Sequence, residues 1–391
     1  MRRMVLLRLL LLCAPAAGKL NGNLTLPMEI RINATSGWPR YVLGNVSVGG
    51  RTQHATFDAG NPAMSILTAE GCRGCGGGCP AGVPTCSADS PFCTPSAPGE
   101  FAPAGSYTVN ASQPCGSRTR AAGKLDGVQA CQQCFDGGDH ARFFTMAHGD
   151  VTFEAVAVGE QQGSGGGGGG SSSSSRRSAA VAGSGFVLED MAFGALVRTT
   201  PAFDRVWGNI GVGFGSSFLT QLGATSLLLH LRVEPKAVSY ITFNPNATHL
   251  ASMASAAFGV TSNRDFIMAV LLGSKELGAA TFRIDTGNQG ISIHDDGIAA
   301  ALSSSTGGRW ASDGALVLPV DGNSSNSRPT LSFSIGEIRV DVPGPVWAPC
   351  CGGRTVFVRY HKNVLGLPFI SRGYIGLDDG ARRIYYKPFD I

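Results

Sequence analysis

The strongest constraint on this chain is a short pattern that occurs twice. Thr56-Phe57-Asp58-Ala59-Gly60-Asn61 and Arg283-Ile284-Asp285-Thr286-Gly287-Asn288 each place a carboxylate at the end of an apolar strand, in a tight turn that glycine permits. One Asp-x-Gly means little in a glycine-rich chain, and Asp126-Gly127, Asp313-Gly314 and Asp379-Gly380 read as ordinary turns. The pair is different. Each member follows a strand, each ends in Asn, and the two stand 227 residues apart, about the length of one lobe.

The rest of the 391 residues suits a sheet-rich body of two or three ordinary domains. With 55 Gly, 21 Pro and only 15% charged residues, long helices are not expected, while 43% hydrophobic residues suffice for a large core and exclude wholesale disorder. A mostly β architecture of many short strands follows. Residues 41–48 and 151–158 alternate apolar and polar as half-buried strands do, and helical patterning is confined to brief stretches at 217–222 and 296–302. The run of glycine and serine at 163–175 is expected to be a flexible surface loop.

The first 18 residues carry the three parts of a secretory signal: basic Met1-Arg2-Arg3, an apolar run over 5–12, and the small residues Ala14, Ala16, Ala17 and Gly18. An anchor helix is the competing reading, but the run is short, Arg8 interrupts it, and nothing downstream reaches the ~18 apolar residues of a span. Six Asn-x-Ser/Thr sequons, at Asn23, Asn33, Asn45, Asn110, Asn246 and Asn323, become glycan candidates in an exported chain. The formal charge of +4 owes three units to Arg2, Arg3 and Arg8. Without them the chain is nearly neutral, so there is no electrostatic case for nucleic acid or an anionic membrane as partner.

After loss of Cys13 with the signal, the remaining cysteines are even in number, as a disulfide framework requires. Cys72, Cys75, Cys79, Cys86, Cys93, Cys115, Cys131 and Cys134 crowd a Gly/Pro-rich insertion over 72–134, and Cys350 and Cys351 stand alone near the end. The pairs Cys72/Cys75 and Cys131/Cys134 also have the spacing of zinc ligands, although an oxidising route favours disulfides. Adjacent Cys350 and Cys351 do not easily bridge each other, so their partners stay open.

On these motifs the chain resembles the pepsin-like aspartic proteases, in particular the plant nepenthesin-like branch with its cysteine-rich insertion after the first aspartate. Residues 41–49 resemble the family's opening strand, Asp58-Ala59-Gly60 its first catalytic loop, and Gly211-Val212-Gly213-Phe214-Gly215 with Leu219-Thr220-Gln221-Leu222 its mid-chain motif. Asp285-Thr286-Gly287 resembles the second loop, and residues 364–369, 374–378 and 384–388 the closing strands. The resemblance implies a bilobal fold with pseudo-twofold lobes, a first over 19–222 and a second over 223–391, and a central cleft where Asp58 and Asp285 meet. It further implies that the pair shares one proton, titrates in two steps and activates a water against a peptide carbonyl at acidic pH, with no metal or other cofactor. A protein or peptide would be the partner in the cleft, the chain a monomer, and its destination the secretory pathway, with the extracellular space (apoplast) or a vacuole as end point.

Departures from the family pattern point the other way. Where the family has Thr or Ser after the first aspartate, whose hydroxyl reaches across to the opposite loop, this chain has Ala59; Thr286 keeps the hydroxyl on the other side. Asn61 and Asn288 stand where a hydroxyl normally donates to the outer carboxylate oxygen, and an amide is expected to do the same. Phe135 aligns with the flap tyrosine and lacks the phenol; a loop aromatic packed beneath the cysteines is the plainer reading of it. Between the signal and Asp58 there is little more chain than the first strands need, so no prosegment is expected. The alternative function is therefore a non-catalytic protein on the same scaffold, such as an inhibitor of a glycanase (xylanase). The seven histidines have no metal spacing, and the Gly165–Gly170 run lacks the Lys-Ser/Thr of a phosphate loop.

Overall fold

The structure is a computed structural model that describes residues 20–32, 39–68, 102–156, 184–199, 208–259, 264–319, 328–347, 356–357 and 362–389, apart from short gaps inside these spans. The segment 1–18, the first part of the insertion, the loop at 163–175 and Cys350-Cys351 lie outside the described residues.

The chain is mostly β. Among the described residues fifteen strands form one hydrogen-bonded sheet, seven form a second, and a two-stranded ribbon joins Arg309–Trp310 to Leu316–Val317. Six strands begin the larger sheet, in the order Ala254–Ala257, Arg383–Pro388, Gly373–Asp378, Ser226–His230, Ser239–Phe243 and Leu24–Ile32, all antiparallel. They come from the start, middle and end of the chain. Every residue of Ser226–His230 is buried, as a strand covered on both faces requires. Leu24–Ile32 then changes partner: residues 24–28 pair with Ser239–Phe243, and residues 29–32 with Pro39–Val48. From there the sheet continues as the first lobe. The smaller sheet is the core of the second lobe, and its strand Asp265–Leu272 buries Phe266, Met268, Val270 and Leu272 while Ile267 faces out, the alternation of a half-buried strand.

The boundary expected at 222/223 falls at the end of the helix Ser217–Leu222, which stops at Gly223 in the left-handed conformation (φ 72°). The strands just beyond it, however, pair with residues 24–28 and with the C-terminal strands. That stretch is part of the sheet that joins the lobes. The other expected helix runs over Asp296–Thr306, one turn longer than its apolar pattern indicates, and is capped by Asp295 accepting from the Ile298 N–H. Strands Arg120–Leu125 and Val128–Phe135 occupy the end of the insertion, so that part of it belongs to the first-lobe sheet and is not loop. Cys131 forms a disulfide with Cys115, which removes the Cys131/Cys134 pair as a zinc site. No helix among the described residues is long and apolar enough to cross a membrane.

Each lobe is packed around aromatic rings. Phe218 lies against Phe57, Phe153 and Phe243 at centroid distances of 6.5, 5.2 and 5.4 Å; in the second lobe Phe333 lies against Phe282 and Phe369 at 5.4 and 5.6 Å. The Phe153–Phe218 pair is tilted and the others are edge-on; such aromatic pairs add about 0.5–1.5 kcal/mol each beyond area burial. The lobes are also tied by Arg264, 3% exposed, which makes two bonds to Asp379 (2.6 and 2.7 Å) and donates to the Val212 carbonyl at 2.8 Å. Removing one side of such a buried pair costs about 3–5 kcal/mol.

His230, 8% exposed, sits among Tyr240, Tyr374 and Phe389 at 4.3, 4.6 and 5.0 Å, and neither ring nitrogen has a hydrogen-bond partner among the described residues. Burial, helped by the nearby Arg232 charge and opposed by Glu234, pushes its pKa down to about 4. The unfolded imidazole titrates near 6.5, so the fold holds the neutral form. Stability is then full above pH 6.5 and falls on acidification toward pH 4, by on the order of 2 kcal/mol. His230→Phe is expected to flatten this slope in urea midpoints taken across that range; an equal drop in both proteins would refute the account.

Candidate active site

Each aspartate is carried by the same local device. Arg51–Asp58 ends at Asp58, the chain turns back as Met64–Leu67, and Gly208–Gly211 inserts between them, parallel to the first and antiparallel to the second. In the second lobe Lys275–Ile284, Ile291–Ser292 and Asn363–Leu365 repeat the arrangement. The inserted strands hold the turns by backbone bonds: Val212 N–H to the Asp58 carbonyl (2.8 Å) and Gly213 N–H to that of Asn61 (2.9 Å) in one lobe, Asp285 N–H to the Leu365 carbonyl (3.1 Å) and Leu367 N–H to that of Asn288 (3.0 Å) in the other. Asn61 and Asn288 close the turns, their Oδ1 atoms accepting from Ala63 N–H and Gly290 N–H, both at 2.9 Å.

The two turns meet. Asp58 and Asp285 share a side-chain hydrogen bond, and each accepts a further one on Oδ1, from Gly60 N–H at 2.9 Å and Gly287 N–H at 2.8 Å respectively. The glycines are required for that approach. A Cβ at Gly60 would overlap the Asp285 carboxylate, and one at Gly287 would stand 3.1 Å from Asp58 Cγ. Although enclosed by protein, each aspartate keeps part of its surface open to solvent.

Burial raises both pKa values, but not alike. Asp58 is pulled back by the bond from Asp285, by Gly60 N–H, by the charge of Arg142 and by the Asn61 amide. Asp285 is driven well above the carboxylate range by burial and then by the negative charge and hydrogen bond of Asp58. A pair held this close shares one proton and titrates as a unit in two steps.

The cross-lobe contact around the dyad is one-sided. Thr286, 1% exposed, donates its hydroxyl to the Phe57 carbonyl at 2.6 Å and accepts from Ala59 N–H at 2.8 Å. Ala59 offers no hydroxyl in return. Asn288 also departs from its expected role: its amide donates to Ser292 Oγ (3.2 Å), away from Asp285.

Two residues that sequence reasoning missed stand over this floor. Val128–Phe135 and His140–Ala155 form an antiparallel pair in which Gln133 lies opposite Arg142. Gln133, 4% exposed, donates to Asn61 Oδ1 at 2.6 Å, so the contact from this hairpin to the Asp58 loop comes from Gln133. Phe135 ends the strand opposite His140, and its side chain lies outside the described residues. Arg142 is 6% exposed and within electrostatic reach of Asp58 and Tyr41; burial pushes its pKa down to about 10 against the pull of both. The available signal was strand alternation, which puts positions 133 and 135 on one face.

None of the four described sequon asparagines bonds to either aspartate of the dyad. Asn23 is exposed, Asn45 donates to Glu154 at 2.7 Å within Pro39–Val48, and Asn110 and Asn246 accept from Ser112 and Thr248 hydroxyls at 2.9 and 2.8 Å. Asn33, Asn323, Cys72, Cys75, Cys79, Cys86 and Cys93 are outside the described residues, as is the Cys134 side chain. No group of three or more metal-binding side chains occurs among the described residues.

Two lobes, each inserting a strand beside an Asp-bearing turn, define the pepsin-like aspartic protease fold. Among solved structures the chain is similar to an aspartic proteinase from Irpex lacteus, with a TM-score of 0.58 and 14% identity over 94% of this chain and 98% of that one. No family model matches the chain, and no curated protein matches its sequence.

Thr286→Val removes the hydroxyl and strands the Phe57 carbonyl and Ala59 N–H. A loss of about 2–4 kcal/mol in urea unfolding is expected, against near-neutrality if the one-sided contact bears no weight.

Proposed function

We propose that the chain is an atypical secreted aspartic endopeptidase of the nepenthesin-like kind, which hydrolyses peptide bonds in protein or peptide substrates at acidic pH. The observation that carries the reading is the meeting of Asp58 and Asp285, delivered from two lobes by matching Asp-x-Gly turns whose glycines leave room for the opposing carboxylate. In this reading Asp58 is the anion and Asp285 the acid. Asp58 takes a proton from a water that attacks the scissile carbonyl, while Asp285 donates its proton to the carbonyl oxygen. When the resulting gem-diol collapses, Asp58 passes its proton to the leaving nitrogen, and one diol hydroxyl returns a proton to Asp285. The fungal neighbour shares the fold, which supports a peptide in the cleft. The signal-like residues 1–18 and the Cys115–Cys131 disulfide support export.

A second reading, a non-catalytic binding protein such as a glycanase inhibitor, is favoured by one observation: the hydroxyl contact that holds the loops in register is made only by Thr286.

The two are separated by incubating the chain lacking residues 1–18 with a denatured protein at about pH 3 to 6. Cleavage blocked by a statine-type transition-state analogue, and lower by about 10²–10⁴-fold in Asp285→Asn, is the outcome expected of the protease. Wild type as inert as the variant leaves the binding protein. Ala59→Thr, which offers the missing hydroxyl to the second loop, is expected to raise kcat; an unchanged or lower value counts against the account of that contact.

A further inference from the structure

The hairpin of Val128–Phe135 and His140–Ala155 brings a full positive charge to the dyad. Gln133 and Arg142 are direct cross-strand partners and so share a face, and Gln133 touches Asn61, three residues from Asp58. Arg142 is therefore seated over the first-lobe turn by the register of the sheet. Among the described residues, the titratable groups that act on it are Asp58 from Arg51–Asp58 and Tyr41 from Pro39–Val48. On the other side of the dyad the cation facing Asp285 is Arg283, whose Nε and Nη2 are held by Asp265 at 2.9 and 2.8 Å. Each carboxylate thus has an arginine near it: Arg283 beside Asp285 on the chain, and Arg142 over Asp58 from the hairpin.

We propose that Arg142 is a positioning residue for the dyad, holding the negative charge on Asp58 and the shared proton on Asp285, and so setting the pH window of the site lower than the two carboxylates alone would have it. A guanidinium suits this task because it stays protonated when buried, where a lysine gives up its proton more readily. The consequence for turnover rests on the protease reading; the charge arrangement does not.

Both are read in Arg142→Met and Arg142→Lys, by the pH profile of kcat/KM and by 13C NMR titration of Asp-labelled protein, which needs no turnover. In Arg142→Met both limbs of the profile and both dyad titrations are expected to move up by about one pH unit, a tenfold change in the ionised fraction at a fixed acidic pH. Arg142→Lys is expected to fall between. Titrations in Arg142→Met that stay within about 0.3 unit of wild type would overturn the proposal, whatever happens to the amplitude of the rate. Shifted titrations in a chain that cleaves nothing would sustain it while the protease reading fell. Should Arg142→Met fail to fold, the wild-type background decides: the carboxyl of Asp285 in Asp58→Asn is expected to titrate at least one unit above that of Asp58 in Asp285→Asn, and equal values would overturn the proposal.

Discussion

The structure depends on bringing two carboxylates into hydrogen-bonding contact from opposite lobes. Left to itself such a pair repels, and the chain tolerates it because a proton is retained between the two oxygens and because the backbone leaves them no room to separate. Gly60 and Gly287 have no side chain where the opposing carboxylate stands. Behind each turn an inserted strand supplies N–H and C=O partners that fix its height, and behind the first inserted strand Phe218 packs into the lobe's aromatic core. The dyad is thus the outcome of packing that reaches through both lobes.

The twofold relation between the lobes is followed by the backbone and broken by the side chains. Asn61 and Asn288 make the same turn, yet Asn61 receives Gln133 from the hairpin while Asn288 donates to Ser292 in its own lobe. Thr286 reaches across and Ala59 does not. Only the first lobe places Gln133 and Arg142 above its aspartate. The hairpin accounts for two of these breaks, since it brings Gln133 to the Asp58 turn and Arg142 within electrostatic reach of Asp58.

Much of this was legible in the sequence. The repeated strand-Asp-x-Gly-Asn pattern located both turns, because only a glycine-bearing turn at the end of an apolar strand fits that order of residues, and alternation located strands such as Pro39–Val48. The pairing of Ser226–His230 with Gly373–Asp378 was not legible, since a fully buried strand has no alternating face to show and long-range partners leave no local mark. Gln133 and Arg142 escaped for a different reason. A glutamine inside a cysteine-rich stretch and an arginine just beyond it look like solvated polar residues until sheet register turns them inward, whereas the family pattern marks Phe135, where an aromatic is expected.

How a site with a one-sided hydroxyl contact keeps its geometry can be traced beneath the dyad. Val212 donates its N–H to the Asp58 carbonyl and gives its own carbonyl to Arg264. The next residue, Asp265, lies opposite Arg283 in the antiparallel register and is bonded to it, and Arg283 is two residues before Asp285, which directly follows that strand. A continuous run of backbone and buried ionic contacts therefore joins the first aspartate to the second without passing through Ala59. Hydrogen bonds to charged groups are worth roughly twice those between neutral ones, so this lower route holds the lobes more firmly than one more hydroxyl would. What it cannot replace is the local restraint on the Thr286 side of the turn, and there the second loop depends on its own inserted strand, through Leu365 and Leu367.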